Sequence, residues 1–344
     1  MAARLLLSVL VACGLVVARA TPKCKWEPQT SGVTVRLRGL SAVSTRVAWA
    51  GGAGGTVLRT IDGGATWQVR AIPGTAALDF RDVDAMADQV AYALSIGPGE
   101  ASRIYKTTDG GEHWGLQFAN SDPQVFLDAM AFWDAERGVA VGDSIAGAFV
   151  ILATTNGGRT WTRVPADRLP AALPGEGAFA ASGTNVAVSG RNDVWIATGA
   201  SRVLHSIDGG RAWTVAATRV PSGESSGIFS IAFRDRIHGV VVGGNYRREA
   251  DAVDNAATTA DGGATWIASA RGVNGYRSVV AWVPGTAASF VAAGPSGMDW
   301  SSDDGRTWAP ACGAGVDTVS FVPGAGNGWG AGDHGRIGKL VIRN

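Results

Sequence analysis

Apolar residues in this chain fall in short runs bounded by glycine and polar turns, never at the spacing of a long amphipathic helix. Gly39 to Val43 reads as a short strand, Val47 to Gly52 as an apolar one bounded by glycine, Thr56 to Thr60 as a third, and Trp67 to Ala71 as a fourth. Runs of this length and punctuation predict four β-strands joined by turns. The same unit recurs along the chain, and a fixed phrase marks each copy: TIDGGATW at Thr60 to Trp67, then variants at Thr107 to Trp114, Thr154 to Trp161, Ser206 to Trp213, Thr259 to Trp266 and Ser301 to Trp308. Its third place holds Asp62, Asp109, Asn156, Asp208, Asp261 and Asp303, and its last holds Trp67, Trp114, Trp161, Trp213, Trp266 and Trp308. Successive copies lie 42 to 53 residues apart, the period of a propeller blade and not of a solenoid repeat. Four short strands per repeat make one such blade.

Local chemistry accounts for the phrase. The carboxylate accepts hydrogen bonds from amides of its own turn, the glycine pair tolerates positive φ, the Ser or Thr hydroxyl caps the turn, and the tryptophan locks it against the sheet. Six phrases do not mean six blades. Thr318 to Val322, Gly328 to Gly332 and Gly335 to Ile342 supply three further strands with no phrase after them, and Lys23 to Pro28 reads as the missing fourth, with Trp26 matching the other tryptophans. The expectation is an all-β, seven-bladed β-propeller over residues 21–344, one domain, closed by an N-terminal strand that completes the last blade and removes an open sheet edge.

Composition agrees: charged residues are only 17% and glycines number 49 in 344, which excludes long charged helices. A net charge of +1 offers no global field for nucleic acid or an anionic membrane, so recognition falls to a local patch. Arg4, the apolar run Leu5 to Val17 and Ala18-Arg19-Ala20 read as a cleavable export signal over residues 1–20, which predicts a periplasmic or secreted protein. The apolar run is short for a membrane span, so no stable membrane insertion is expected. Leu10 to Cys13 resembles a lipoprotein cleavage box, but the apolar run continues past it. Cys24 and Cys312 then remain at opposite ends of the mature chain, as a candidate disulfide or as two separate thiols.

Aligning the innermost strands by their apolar pattern places Arg38, Arg81, Leu127, Ile228, Arg277 and Val316 at one repeat position, while the fourth blade, near Ala180, aligns poorly. Arg38, Arg81 and Arg277 would then form an arc at the channel mouth, with Tyr276 beside it, suited to a carboxylate or phosphate ligand because guanidinium offers bidentate donors and keeps its charge. The competing reading pairs each arginine with Asp82, Asp128 or Asp317 as internal struts. His113, His205, His238 and His334 lack metal-ligand spacing. No dinucleotide fingerprint, Cys-x-x-Cys or haem motif is present, and Gly51 to Gly55 lacks the lysine of a phosphate loop, so neither metal nor cofactor is expected. Arg247 to Asp251 reads as a solvated loop long enough to form a lid, and the stretch around Tyr246 to Asn255 is the alternative working face.

The phrase resembles the Asp box, or bacterial neuraminidase repeat, with departures at Asn156, His113 and Ala212. Such boxes occur in sialidases, xyloglucanases, sortilin-type receptors and the photosystem II stability/assembly factor family, and the resemblance implies a structural role at the blade periphery. Trp26 to Gly32, Leu37 to Leu40, and Val47 to Gly52 leading into Gly55 to Thr60 make the chain similar to that seven-bladed assembly-factor family. This resemblance implies an exported, non-catalytic scaffold that binds a protein partner through an arginine-rich face and assists its assembly or stability. The alternative is an Asp-box glycoside hydrolase, sialidase-like, or a glycan-binding propeller, drawing a carboxylate pair from Asp82, Asp128 and Asp317. Against a sialidase, Phe80-Arg81-Asp82-Val83 lacks the proline of its arginine motif, Tyr276 has no evident glutamate partner, and sialidases close with six blades.

Overall fold

The structure is a computed structural model and describes residues 23–343. The export signal and the lipoprotein-like box lie outside the described residues. Seven antiparallel sheets of four strands follow one another around a central channel. Their innermost strands are Leu37–Ala42, Asp79–Ala87, Leu127–Phe132, Val186–Ser189, Ser226–Phe233, Val279–Trp282 and Thr318–Phe321, and each touches the next in a closed cycle. Each blade then steps outward strand by strand. Blade seven is completed by Lys23–Thr30, which pairs antiparallel with Arg336–Arg343 through its whole length, from Lys23 opposite Arg343 to Thr30 opposite Arg336.

The hydrophobic core lies between the blades. At the junction of blades seven and one, Leu37, Leu58 and Trp67 pack against Trp329 and Ile337; at the next junction Trp49 and Val57 meet Phe80 and Val83. Alternation along each strand supplies two apolar faces per sheet, one for each neighbour. Closure is clasped by one side chain: Gln29 Oε1 accepts from both the Trp67 and Trp329 indole N–H groups at 3.1 Å, and Gln29 Nε2 donates to the Gly63 carbonyl at 2.9 Å. Gly64 (φ 87°) permits this, because a Cβ there would occupy the space of the Gln29 amide. Cys24 and Cys312 are joined as a disulfide, Cα to Cα 5.5 Å, tying the closing strand to the link between blades six and seven.

The repeated turns join the third and fourth strands of blades one to six. In the first, Asp62 Oδ1 accepts from the Thr66 amide (2.9 Å) and Oδ2 from the Thr66 hydroxyl (2.7 Å), while Thr60 Oγ1 donates to Asp62 Oδ1 and accepts from the Gly64 amide, both at 2.9 Å. The bonds from the Thr66 hydroxyl and amide pull the Asp62 carboxyl down to about 2. Asn156 reproduces the pattern, its Nδ2 donating to the Thr160 hydroxyl at 2.8 Å. Each turn also bonds the loop between the first and second strands, as Gly63 N does with the Arg46 carbonyl. These turns therefore occupy the face of the ring opposite to the one where the innermost strands begin.

Candidate functional site

That other face carries the starts of the innermost strands, the hairpins between second and third strands, and the links between blades. Four innermost strands open with a β-bulge, between Leu37 and Gly39, Phe80 and Asp82, Leu127 and Ala129, and Ile228 and Ser230. The extra residues are Arg38, Arg81, Asp128 and Phe229. A bulge leaves one residue unpaired, bends the strand there and re-aims that side chain. The residue just before it turns into the blade: Leu37, Phe80, Leu127 and Ile228 are fully buried.

This offset corrects the predicted arc at Arg277. The second strand's glycine approaches Leu37, Leu127, Ile228, Val316 and Arg277 in the same way, with a Cβ built on Gly52, Gly142, Gly243, Gly332 or Gly294 falling 3.1 to 3.3 Å from the corresponding Cα. Arg277 thus occupies the inward position and Ser278 the channel-facing one. Its guanidinium is buried, with Nε donating to Asp299 Oδ2 at 2.7 Å and Nη1 to the Tyr276 carbonyl and Ser296 Oγ. It contributes no wall to the channel mouth. Arg38 and Arg81 are bulge residues, whereas Leu127 and Ile228 precede one and Arg277 and Val316 hold the same inward position in strands without a bulge, so one apolar pattern covers two different positions.

At the channel mouth a cavity of about 360 Å³ is lined on one side by Arg36, Arg38 and Arg81 and on another by Phe179, Phe229, Tyr246 and Tyr276. Arg36 replaces Arg277 in the arc. It lies two residues before Arg38, and this period of two was the available signal that both reach the same side. Arg36 grips Asp317 with both arms, Nε to Oδ2 at 2.7 Å and Nη2 to Oδ1 at 2.6 Å. Arg81 Nε donates to Asp79 at 2.8 Å and its Nη1 to the Ala180 carbonyl at 2.8 Å, fixing the link between blades three and four. The Arg38 guanidinium has no hydrogen-bond or ion-pair partner among the described residues. Burial, then repulsion from Arg81 and Arg36, pushes it down to about 10, so it stays charged at neutral pH.

The aromatic wall comes from consecutive blades, four to six. Phe179 and Phe229 stack with centroids 3.9 Å apart and planes 2° from parallel, and Tyr276 meets Phe229 edge-on at 4.8 Å. Tyr246, half exposed, packs edge-on against both phenylalanines from the start of the stretch Tyr246 to Asn255, the expected alternative working face. Phe229 went unrecognised because it follows the aligned Ile228 by one residue, the same offset that misplaced Arg277. Asp82 and Asp128 are buried away from the cavity: Asp82 Oδ2 accepts from the Met130 amide at 2.6 Å, and burial raises both carboxyls well above the usual range. His113, His238 and His334 each contact a neighbouring aspartate, and His205 stacks on Trp195.

Fold and site define a seven-bladed propeller with an arginine-and-aromatic cavity at one mouth of its channel. Solved structures share the architecture: that of YCF48 bound to D1 peptide aligns with a TM-score of 0.65 and 17% identity over 92% of this chain and 96% of the other. YCF48 from Cyanidioschyzon merolae aligns at 0.67 and 18%, over 92% and 98%. YCF48 is a photosystem II assembly factor, and the seven-bladed propeller is what this chain has in common with it. No family model matches the sequence, and neither does any curated protein.

Proposed function

We propose that this chain is an exported, non-catalytic scaffold that holds a segment of a protein partner at the channel mouth and assists that partner's assembly or stability. The observation that carries the reading is the cavity itself, where an unpaired guanidinium and a stacked aromatic wall share one space. Such a pairing of charge with flat apolar surface suits a peptide, whose carboxylates and side chains supply both complements. The structural neighbour bound to D1 peptide supports a protein partner of this kind. A glycosidase has less to work with, because of the two carboxylates in the cavity wall Asp317 is held by both its oxygens, which leaves Glu249 without a free second carboxylate, and Asp82 and Asp128 lie outside the cavity.

The test is affinity capture from the exporting cell with wild-type protein and with Ala181→Trp, which fills the cavity. The wild type is expected to retain a partner that the tryptophan variant loses, with retention weakening as salt rises. Equal capture by both would place the working face elsewhere. Robust turnover of fluorogenic glycosides would overturn the scaffold reading in favour of an enzyme.

A further inference from the structure

We propose that the cavity reads one carboxylate carried beside a flat apolar group, with Arg38 and the Tyr276 hydroxyl as the recognition pair. This deepens the partner-binding reading and rests on it. Arg36 and Arg81 spend their donors on Asp317, Asp79 and the Ala180 carbonyl, which makes them struts of the wall. Arg38 is left with its fork open to the cavity. Tyr276 is only 6% exposed, yet its hydroxyl has no hydrogen-bond partner among the described residues. The hydroxyl opens on the cavity that Tyr276 lines, so it is a donor free to meet a ligand atom there. Burial holds the phenol above its ordinary range, and it stays a neutral donor at every physiological pH.

Charge sets the valence of the ligand. Arg36 and Arg81 are balanced by the carboxylates they pair with, Asp317 and Asp79, which leaves the charge of Arg38 as the one unpaired cation among the described residues that line the cavity. One carboxylate cancels it. A phosphate dianion overshoots, and Glu249, which forms no ion pair among the described residues, repels the excess. The Phe179 and Phe229 stack and the Tyr276 ring then accept the apolar group next to the carboxylate. Two sources offer this chemistry in a polypeptide: a free chain terminus, and an Asp or Glu side chain beside an aromatic residue.

Calorimetric titration of the mature chain with N-acetylphenylalanine, its carboxamide, and N-acetyl-Asp-Phe-amide separates the cases. At least one of the two acids is expected to bind about tenfold or more tightly than the carboxamide, and the one that does names the source. Arg38→Ala and the near-isosteric Arg38→Met should both remove that margin, and Tyr276→Phe should reduce it, with melting temperatures near wild type. Equal binding of acid and carboxamide, an undiminished margin in both Arg38 variants, or inorganic phosphate competing better than acetate would overturn the proposal. Partner capture lost in Ala181→Trp but kept in Arg38→Ala overturns it while sparing the scaffold reading. Capture indifferent to Ala181→Trp, with the acid margin intact, does the reverse.

Discussion

Replacing Arg277 with alanine tests the register on which the site depends. The Arg277 and Asp299 side chains are 3% and 0% exposed, and their contact is 2.7 Å. Besides the guanidinium, Asp299 accepts from the backbone amide and the side-chain amide of Asn274. Without Arg277 a carboxylate stays buried with neutral donors only, a change that costs about 3–5 kcal/mol. At roughly 2–4 °C per kcal/mol for a chain of this size class, the melting temperature should fall by on the order of 10 °C. The assay is thermal unfolding by calorimetry and near-ultraviolet circular dichroism at neutral pH. Arg277→Met combined with Asp299→Asn should recover part of the loss, because it removes the buried charge as well as its partner. Arg38→Ala, in contrast, should shift stability by less than about 1 kcal/mol, as the guanidinium it removes has no partner. Should Arg277→Ala melt like wild type while losing its ligand or partner, the side chain would belong at the channel mouth and not inside the blade.

Three further outcomes follow from the same geometry. Burial pushes the Asp84 carboxyl up to about 7 although its Oδ2 accepts the Phe132 amide at 2.9 Å; the native state therefore holds a proton that the unfolded chain releases. Stability should decline as pH rises from the ordinary carboxylate range to about 7 and level off above it, with a smaller decline in Asp84→Asn; urea melts at pH 5 and 8 that coincide for wild type would contradict this. Opening the Cys24–Cys312 disulfide frees a closure spanning 288 residues, so the Cys24→Ser/Cys312→Ser variant should lose about 2–5 kcal/mol, and a reductant should lower the melting temperature of wild type only. Gln29→Ala strands two indole N–H groups and the Gly63 carbonyl, and should cost about 1–3 kcal/mol in the same melts, well beyond the effect of Gln68→Ala on the exposed outer strand.

The blades were legible in the sequence because their defining contacts are local. Thr60, Asp62, Gly64 and Thr66 bond one another within seven residues, so a phrase of residue types carries the whole turn and its recurrence counts the repeats. Ring closure was legible too, since a tail with three strands and a head with one leave a single way to pair the remaining edges. The channel mouth was not. A bulge inserts one residue, and in a strand a shift of one residue moves a side chain from one face to the other; the bulges put Arg38, Arg81 and Phe229 on the channel side, while Arg277, in a strand without one, holds the inward position that precedes them. Arg36 meets Asp317 across 281 residues, and Phe179 stacks on Phe229 across the junction of two blades. Only the closed ring sets those distances, because they depend on how seven sheets twist and pack around one axis and not on any stretch of chain that a reader could take alone.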